Sequence, residues 1–216
     1  MLIIPDGTTE IGFSYTEAYS PGKPKSVYIP DSVTVIREEA FSDCENLVEI
    51  RFPNGIDKIA SGTFSGCENL TDITIPAGVH YIGKNAFERC KKLTSINIPN
   101  SVTEIDKYAF AGSGLTSITI PNSVCYIGKG AFYRCNGLTN VTIQSSVCYI
   151  GYNAFDKCNN LKEISIAIES GITESDLRKH SSLPKDCKVT YYDPNDVKNE
   201  ADTSKQKDKK DTGFDL

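Results

Sequence analysis

Eight cysteines and two histidines are the side chains of this 216-residue chain with the widest chemical repertoire. A zinc site needs close pairs such as Cys-x2-Cys. None occurs, and His80 and His180 stand in different contexts. A thiol nucleophile needs a base within reach and a third group to orient that base. Cys67 and His80 are the one conceivable dyad, and no third group accompanies them. Nothing marks Cys187 as a nucleophile. There is no glycine-rich phosphate loop, no His-Glu-x-x-His and no Gly-x-Ser-x-Gly, so the usual phosphate, zinc and serine chemistries lack their motifs. The acidic residues show no pairing that specifies acid–base work. The reading is a chain with no catalytic residue, no metal and no cofactor.

Most of the cysteines have a different explanation, which is periodic. The segment Leu115-Thr-Ser-Ile-Thr-Ile-Pro121-Asn-Ser-Val-Cys-Tyr-Ile-Gly-Lys-Gly-Ala-Phe132 recurs along most of the sequence. Its phenylalanine falls at Phe41, Phe64, Phe87, Phe110, Phe132 and Phe155, at steps of 23 residues with one step of 22. A fixed period of this size is the signature of a stacked solenoid. Cys44, Cys67, Cys90, Cys135 and Cys158 each follow a repeat phenylalanine by three residues, and Ser113 takes that place in the fourth copy. A position that accepts Cys or Ser reads as a small buried slot, because free cysteine packs as a small hydrophobe. Cys125 and Cys148 lie one repeat apart outside that slot. Neighbouring strands would bring them within disulfide reach, but parallel stacking aims both Cβ vectors the same way, so thiols are expected.

Each copy predicts a short strand, at 48–52, 71–75, 94–98, 116–120, 139–143 and 162–166. Alternation of period 2 turns Ile50/Phe52, Ile73/Ile75, Ile96/Ile98, Ile118/Ile120, Val141/Ile143 and Ile164/Ile166 inward. Proline ends the strand in most copies, since it offers no N–H to a ladder. A Val/Ile pair three residues apart follows and also points inward, as in Val79/Ile82. Gly83, Gly128 and Gly151 come next and suit a sharp corner or a positive φ. The Ala-Phe-x-x-Cys return is too short for an α-helix and reads as a turn of helix or 3₁₀. The fourth copy lacks one residue within Ala111-Gly-Ser-Gly114, a deletion the outer arc of a solenoid is expected to absorb.

Residues 1–30 read as a degenerate N-terminal capping repeat with a loop over 15–25, since terminal repeats lack a neighbour on one face. Residues 31–166 are the repeats proper. Residues 167–192 read as a C-terminal cap. In it, Thr173-x-x-Asp176 starts a short helix that buries Leu177 and stops before Pro184, and Lys188-Val-Thr-Tyr-Tyr192 adds a last parallel strand. Residues 193–216 are dominated by Lys, Asp and Glu and hold too few apolar residues for a core, so they read as a disordered charged tail.

Net charge is −5 and the pI near 5.2, which speaks against nucleic acid or an anionic membrane as the main partner. No run of about 18 apolar residues exists to insert in a bilayer. Residues 1–7 have neither a basic start nor a long apolar stretch, so they do not read as a secretory signal.

The pattern Leu-x-x-Ile-x-Ile-Pro-x-Ser-Val-x-x-Ile-Gly-x-x-Ala-Phe-x-x-Cys resembles the BspA-like (Treponema pallidum type) leucine-rich repeats over residues 27–166. The resemblance implies a right-handed solenoid of the α/β repeat type, with a parallel sheet on its concave face and short turns or 3₁₀ segments on the convex side. It further implies a module displayed on a cell surface or secreted, adhering to a protein or glycan. An intracellular interaction scaffold, cytoplasmic in location, is the alternative, and a thiol enzyme or hydrolase a more remote one. The chain is expected to be a monomer.

On such a face the outward strand positions form two polar columns. One runs Glu49, Asp72, Ser95, Ser117, Asn140 and Glu163. The other runs Arg51, Thr74, Asn97, Thr119, Thr142 and Ser165. With parallel strands about 4.8 Å apart, six of them give a strip of about 24 Å suited to binding, or simply to solvating an open sheet. Tyr81, Tyr126 and Tyr149 share another repeat position. They read as a packed aromatic ladder along a flank or as a contact ridge.

Overall fold

The structure, a computed structural model, describes residues 1–12, 24–144, 146–181 and 183–195. The chain coils through about eight turns of a parallel solenoid. Most of the loop expected over 15–25 and most of the tail expected from residue 193 lie outside the described residues.

Each turn has three sides, and each side bonds to the turns before and after it. The first side carries the alternating strands. Leu2–Ile3, Ser26–Tyr28, Glu49–Arg51 and Asp72–Ile73 pair in parallel in that order. Ser117–Ile120, Asn140–Ile143, Glu163–Ala167 and Lys188–Tyr192 do the same further along. Register is one repeat per step, as in Ser117 opposite Asn140 opposite Glu163. That step keeps the inward set inward, because a one-residue slip would turn every side chain over. Where threonine stands ahead of a strand position its hydroxyl adds a tether, as Thr139 does in donating to the Thr116 carbonyl at 3.0 Å.

The second side is a run of two-residue strands, Lys58–Ile59, Tyr81–Ile82, Glu104–Ile105, Tyr126–Ile127 and Tyr149–Ile150, again parallel and in chain order. The paired strands Glu10–Ile11 and Val35–Ile36 precede it.

The third side is the Ala-Phe-x-x-Cys return, built from hydrogen-bonded turns. Its amides point towards the C-terminal end of the solenoid. Phe64 N–H donates to the Ala86 carbonyl at 2.8 Å, Phe87 to Ala109 at 2.7 Å and Phe110 to Ala131 at 2.8 Å. This direction leaves orphan donors on the last turn, and the cap supplies their acceptors. Asn153 N–H donates to the His180 carbonyl at 2.5 Å, and Phe155 N–H donates to the Ser181 hydroxyl at 3.4 Å. The helix Glu174–His180 that places these acceptors starts with a reciprocal capping box between Thr173 and Asp176 and buries Leu177. The Thr173 bonds also hold the Asp176 carboxyl below its usual range.

Inside, the six repeat phenylalanines are fully buried and stack face to face at 5.2–5.6 Å, within 11° of parallel. The Val/Ile pairs and the repeat leucines complete one continuous core.

Two local expectations are corrected. Residues 94–98 enter no ladder, so the concave sheet divides into two four-stranded halves, and Ile96 is only half-buried. The next turn is the shortened one. Its Gly114 sits so close to the preceding turn that a Cβ there would come within 2.0 Å of the Lys91 carbonyl oxygen. The shortened return thus lies close against the preceding turn. Positive φ, the second correction, does not fall at Gly83, Gly128 or Gly151. It falls two residues later, at Asn85 (58°), Gly130 (62°) and Asn153 (60°).

Gly151 is instead required by close approach, since an added Cβ would lie 2.4 Å from Lys129 N. Gly151→Ala should therefore cost roughly 2–3 kcal/mol. Gly55→Ala, where the new atom meets Thr34 at an ordinary 3.5 Å, should stay within about 0.5 kcal/mol. Urea unfolding of the two variants checks the contrast.

Candidate functional site

The strand ladder places the expected polar columns on one face. Ser26, Glu49 and Asp72 stand in register in the N-terminal half, and Ser117, Asn140, Glu163 and Lys188 in the C-terminal half. Beside them run Tyr28 and Arg51, then Thr119, Thr142, Ser165 and Thr190. Ser95 and Asn97 lie exposed at the interruption between the halves, and Thr74 is exposed next to it.

The halves differ in what their side chains already bond. At the C-terminal end the Thr190 hydroxyl donates to Glu163 Oε1 at 3.0 Å and lies 3.2 Å from the Ser165 hydroxyl. Glu163, Ser165 and Thr142 are half-buried. In the N-terminal half Glu49, Arg51, Asp72 and Thr74 are exposed. With Ser26 and Tyr28 they line a depression of about 530 Å³. The Arg51 guanidinium lies over the Tyr28 ring at 5.3 Å, a cation–π contact that fixes its direction. A second depression, about 360 Å³, opens where the sheet is interrupted, among Asp72, Ser95, Asn97, Ser117 and Thr119.

Tyr28, Ser26, Lys188 and Thr190 extend the columns and were missed in the sequence. The signal for the first two was present: Ser26-Val-Tyr-Ile-Pro30 has the same frame as Glu49-Ile-Arg-Phe-Pro53.

The three tyrosines do not form one ridge. Tyr126 and Tyr149 stack at 5.0 Å and 7°, and burial followed by the Tyr149 neighbour pushes the Tyr126 phenol up. Glu104 stands between Tyr126 and Tyr81 in the ladder. Tyr81 instead donates its hydroxyl to Asp106 Oδ2 at 2.6 Å. Burial, then that bond, pushes the Tyr81 phenol well up.

The slot cysteines are buried, and the structure adds a role that packing alone would miss. Cys67 Sγ–H donates to the Phe41 carbonyl at 3.1 Å, Cys90 to Phe64 at 3.2 Å, Cys135 to Phe110 at 3.1 Å and Cys158 to Phe132 at 3.0 Å. At residue 113 serine takes the slot, and its hydroxyl lies 3.4 Å from Cys135 Sγ. The Cys67–His80 dyad does not form. Cys67 is buried and bonded to Phe41, and its ionisation is pushed far up by Cys44 and then by burial, while His80 is exposed. Among the described residues no group of three or more His, Cys, Asp or Glu side chains could hold a metal ion. No helix among them is long and apolar enough to cross a membrane.

Cys125 and Cys148 behave differently from the slot. Both are exposed, and their side chains turn towards each other until the sulfurs are 2.6 Å apart. The parallel Cβ vectors therefore do not separate them. The Cys125 neighbour, with a smaller contribution from burial, pushes the ionisation of Cys148 up.

A family model described as "BspA type Leucine rich repeat region" matches the chain in six copies, over residues 14–124 and 103–183. Among solved structures, the leucine-rich repeat protein of T. pallidum superposes with a TM-score of 0.61 at 26% identity, covering 84% of each chain. A leucine-rich cell surface protein of Faecalibacterium prausnitzii A2-165 gives 0.57 at 22% identity, over 89% of this chain and 69% of the other. A leucine-rich repeat protein of Eubacterium ventriosum gives 0.50 at 20% identity, over 89% of this chain and 54% of the other. No curated protein matches the chain.

If the slot needs a donor, Cys90→Ser should be tolerated better than Cys90→Ala, with the alanine costing about 1 kcal/mol more. Thermal unfolding of both variants gives the order. An apolar slot with no use for the donor would reverse it.

Proposed function

The chain belongs to the BspA-type leucine-rich repeat family, and we propose that it is a non-catalytic recognition module, displayed at a cell surface or secreted. It binds a protein or glycan through the N-terminal half of its concave face. The observation that carries this reading is the asymmetry of the strip. Glu49, Arg51, Asp72 and Thr74 are exposed around a depression with an oriented Arg–Tyr pair, while at the C-terminal end Thr190 bonds Glu163 and lies against Ser165. Tyrosine and arginine are the residue types that most often anchor interfaces. Packed turns hold them rigidly, which lowers the entropy a partner's binding must overcome.

The non-catalytic part is supported by the state of the thiols, whose slot members are buried and donate to carbonyls. Display is supported by the family and by the description of the F. prausnitzii neighbour as a cell surface protein.

Arrays of glycans and extracellular-matrix proteins, probed with the wild-type chain, give the ligand. Arg51→Ala and Tyr28→Ala should then weaken binding at least about tenfold, which is about 1.4 kcal/mol. Asn97→Ala should weaken it less, and Lys91→Ala, off this face, should leave it unchanged. Unaltered binding in the three concave variants would move the site elsewhere.

A further inference from the structure

The repeat accounts for five of the eight cysteines and leaves Cys125 and Cys148 without a role in the core. In earlier turns their column holds Thr34, Asp57, His80 and Thr103, so paired cysteines appear there only in the last two turns. Both are exposed, unlike the other six, and their sulfurs are in contact at 2.6 Å. The backbone holds the pair in register. Cys148 and Tyr149 N–H both donate to the Cys125 carbonyl, at 2.9 and 3.2 Å. On the C-terminal side of each cysteine, the Tyr126 and Tyr149 rings are stacked. On the N-terminal side, Val124 and Val147 are buried. Strand spacing of about 4.8 Å falls inside the Cα range that a disulfide accepts.

We propose that Cys125 and Cys148 form an exposed dithiol that exchanges with low-molecular-weight disulfides and closes into a disulfide across the last two turns. One protein thiolate attacks a sulfur of the small disulfide, breaks its S–S bond and releases one small thiolate. The second protein thiolate attacks the sulfur now in mixed linkage, forms the Cys125–Cys148 bond and releases the second small thiolate. The two protons lost by the protein end on the two released thiols, and the two electrons given up by the protein sulfurs reduce the small disulfide.

The place of the bond gives it a consequence. Tyr149–Ile150 is the terminal strand of the second sheet, bonded on one side only to Tyr126–Ile127. The first sheet, by contrast, continues through Glu163–Ala167 to Lys188–Tyr192. An end strand of two residues is where a stack frays first, and the disulfide fastens it to the turn beneath. The slot cysteines do not take part, because they are closed to solvent and bonded to carbonyls.

The test uses the full reduced chain and oxidised glutathione. The native protein should lose the mass of two hydrogens and yield a single cross-linked peptide pair joining Cys125 to Cys148. Six thiols should remain titratable after denaturation. The melting temperature should rise by several degrees, and the Tyr149 and Ile150 amides should exchange at least about tenfold more slowly. Cys125→Ser should instead stop at one glutathionyl group on Cys148, with no gain in melting temperature. Wild-type protein that accumulates glutathionyl adducts without closing, stays unreactive, or links other cysteines would overturn the proposal.

Discussion

Register between turns is the constraint on which the rest of the molecule depends. It is set at the return segment, where each repeat phenylalanine stacks on the next at 5.2–5.6 Å and sends its amide forward to a carbonyl of the next turn, or from Phe155 to the Ser181 hydroxyl of the cap. The slot thiol then donates backward to the carbonyl of the previous phenylalanine. A turn is thus bonded in both directions at one place, and its apolar face is covered only when both neighbours are present. Stability is accordingly a nearest-neighbour property. The C-terminal cap follows from the same rule, because it receives the amides that the last turn cannot hand on.

The same register makes a surface. One-repeat steps align the outward strand positions into columns, so substitutions in successive copies write a two-dimensional pattern with little change to the backbone. The N-terminal part of that pattern is exposed and carries charge and an aromatic ring. At the C-terminal end Thr190 is tied to Glu163 and Ser165, while Ser117, Thr119 and Asn140 stay exposed. Recognition, on this reading, is a property of which copies diverge at outward positions, and the core positions of those copies remain free to stay alike.

Much of this was legible in the sequence because it repeats. The inward Ile and Val pairs, the buried phenylalanines, the capping helix after Thr173 and the last strand Lys188–Tyr192 all follow from period and cap chemistry. What escaped depends on the contact between a turn and its neighbour. Residues 94–98 leave the ladder beside the shortened turn, where Gly114 meets the Lys91 carbonyl. Gly151 is glycine because of Lys129 beneath it, and the positive φ sits two residues further on. The sulfurs of Cys125 and Cys148 meet through side-chain rotation, which no alignment of repeats contains. Two of these features are visible in the sequence itself. Glu104 already occupies the place between Tyr81 and Tyr126, and Tyr28 already stands in the frame of Arg51.

Native-state hydrogen exchange at the repeat phenylalanines tests the central claim most directly. If forward-pointing amides in a continuous stack hold the turns together, Phe64, Phe87, Phe110 and Phe132 exchange only through cooperative opening. Protection should then be greatest in the middle turns and fall towards both ends. Exchange of these amides as fast as that of exposed turn residues, or protection that ignores position in the stack, would contradict it.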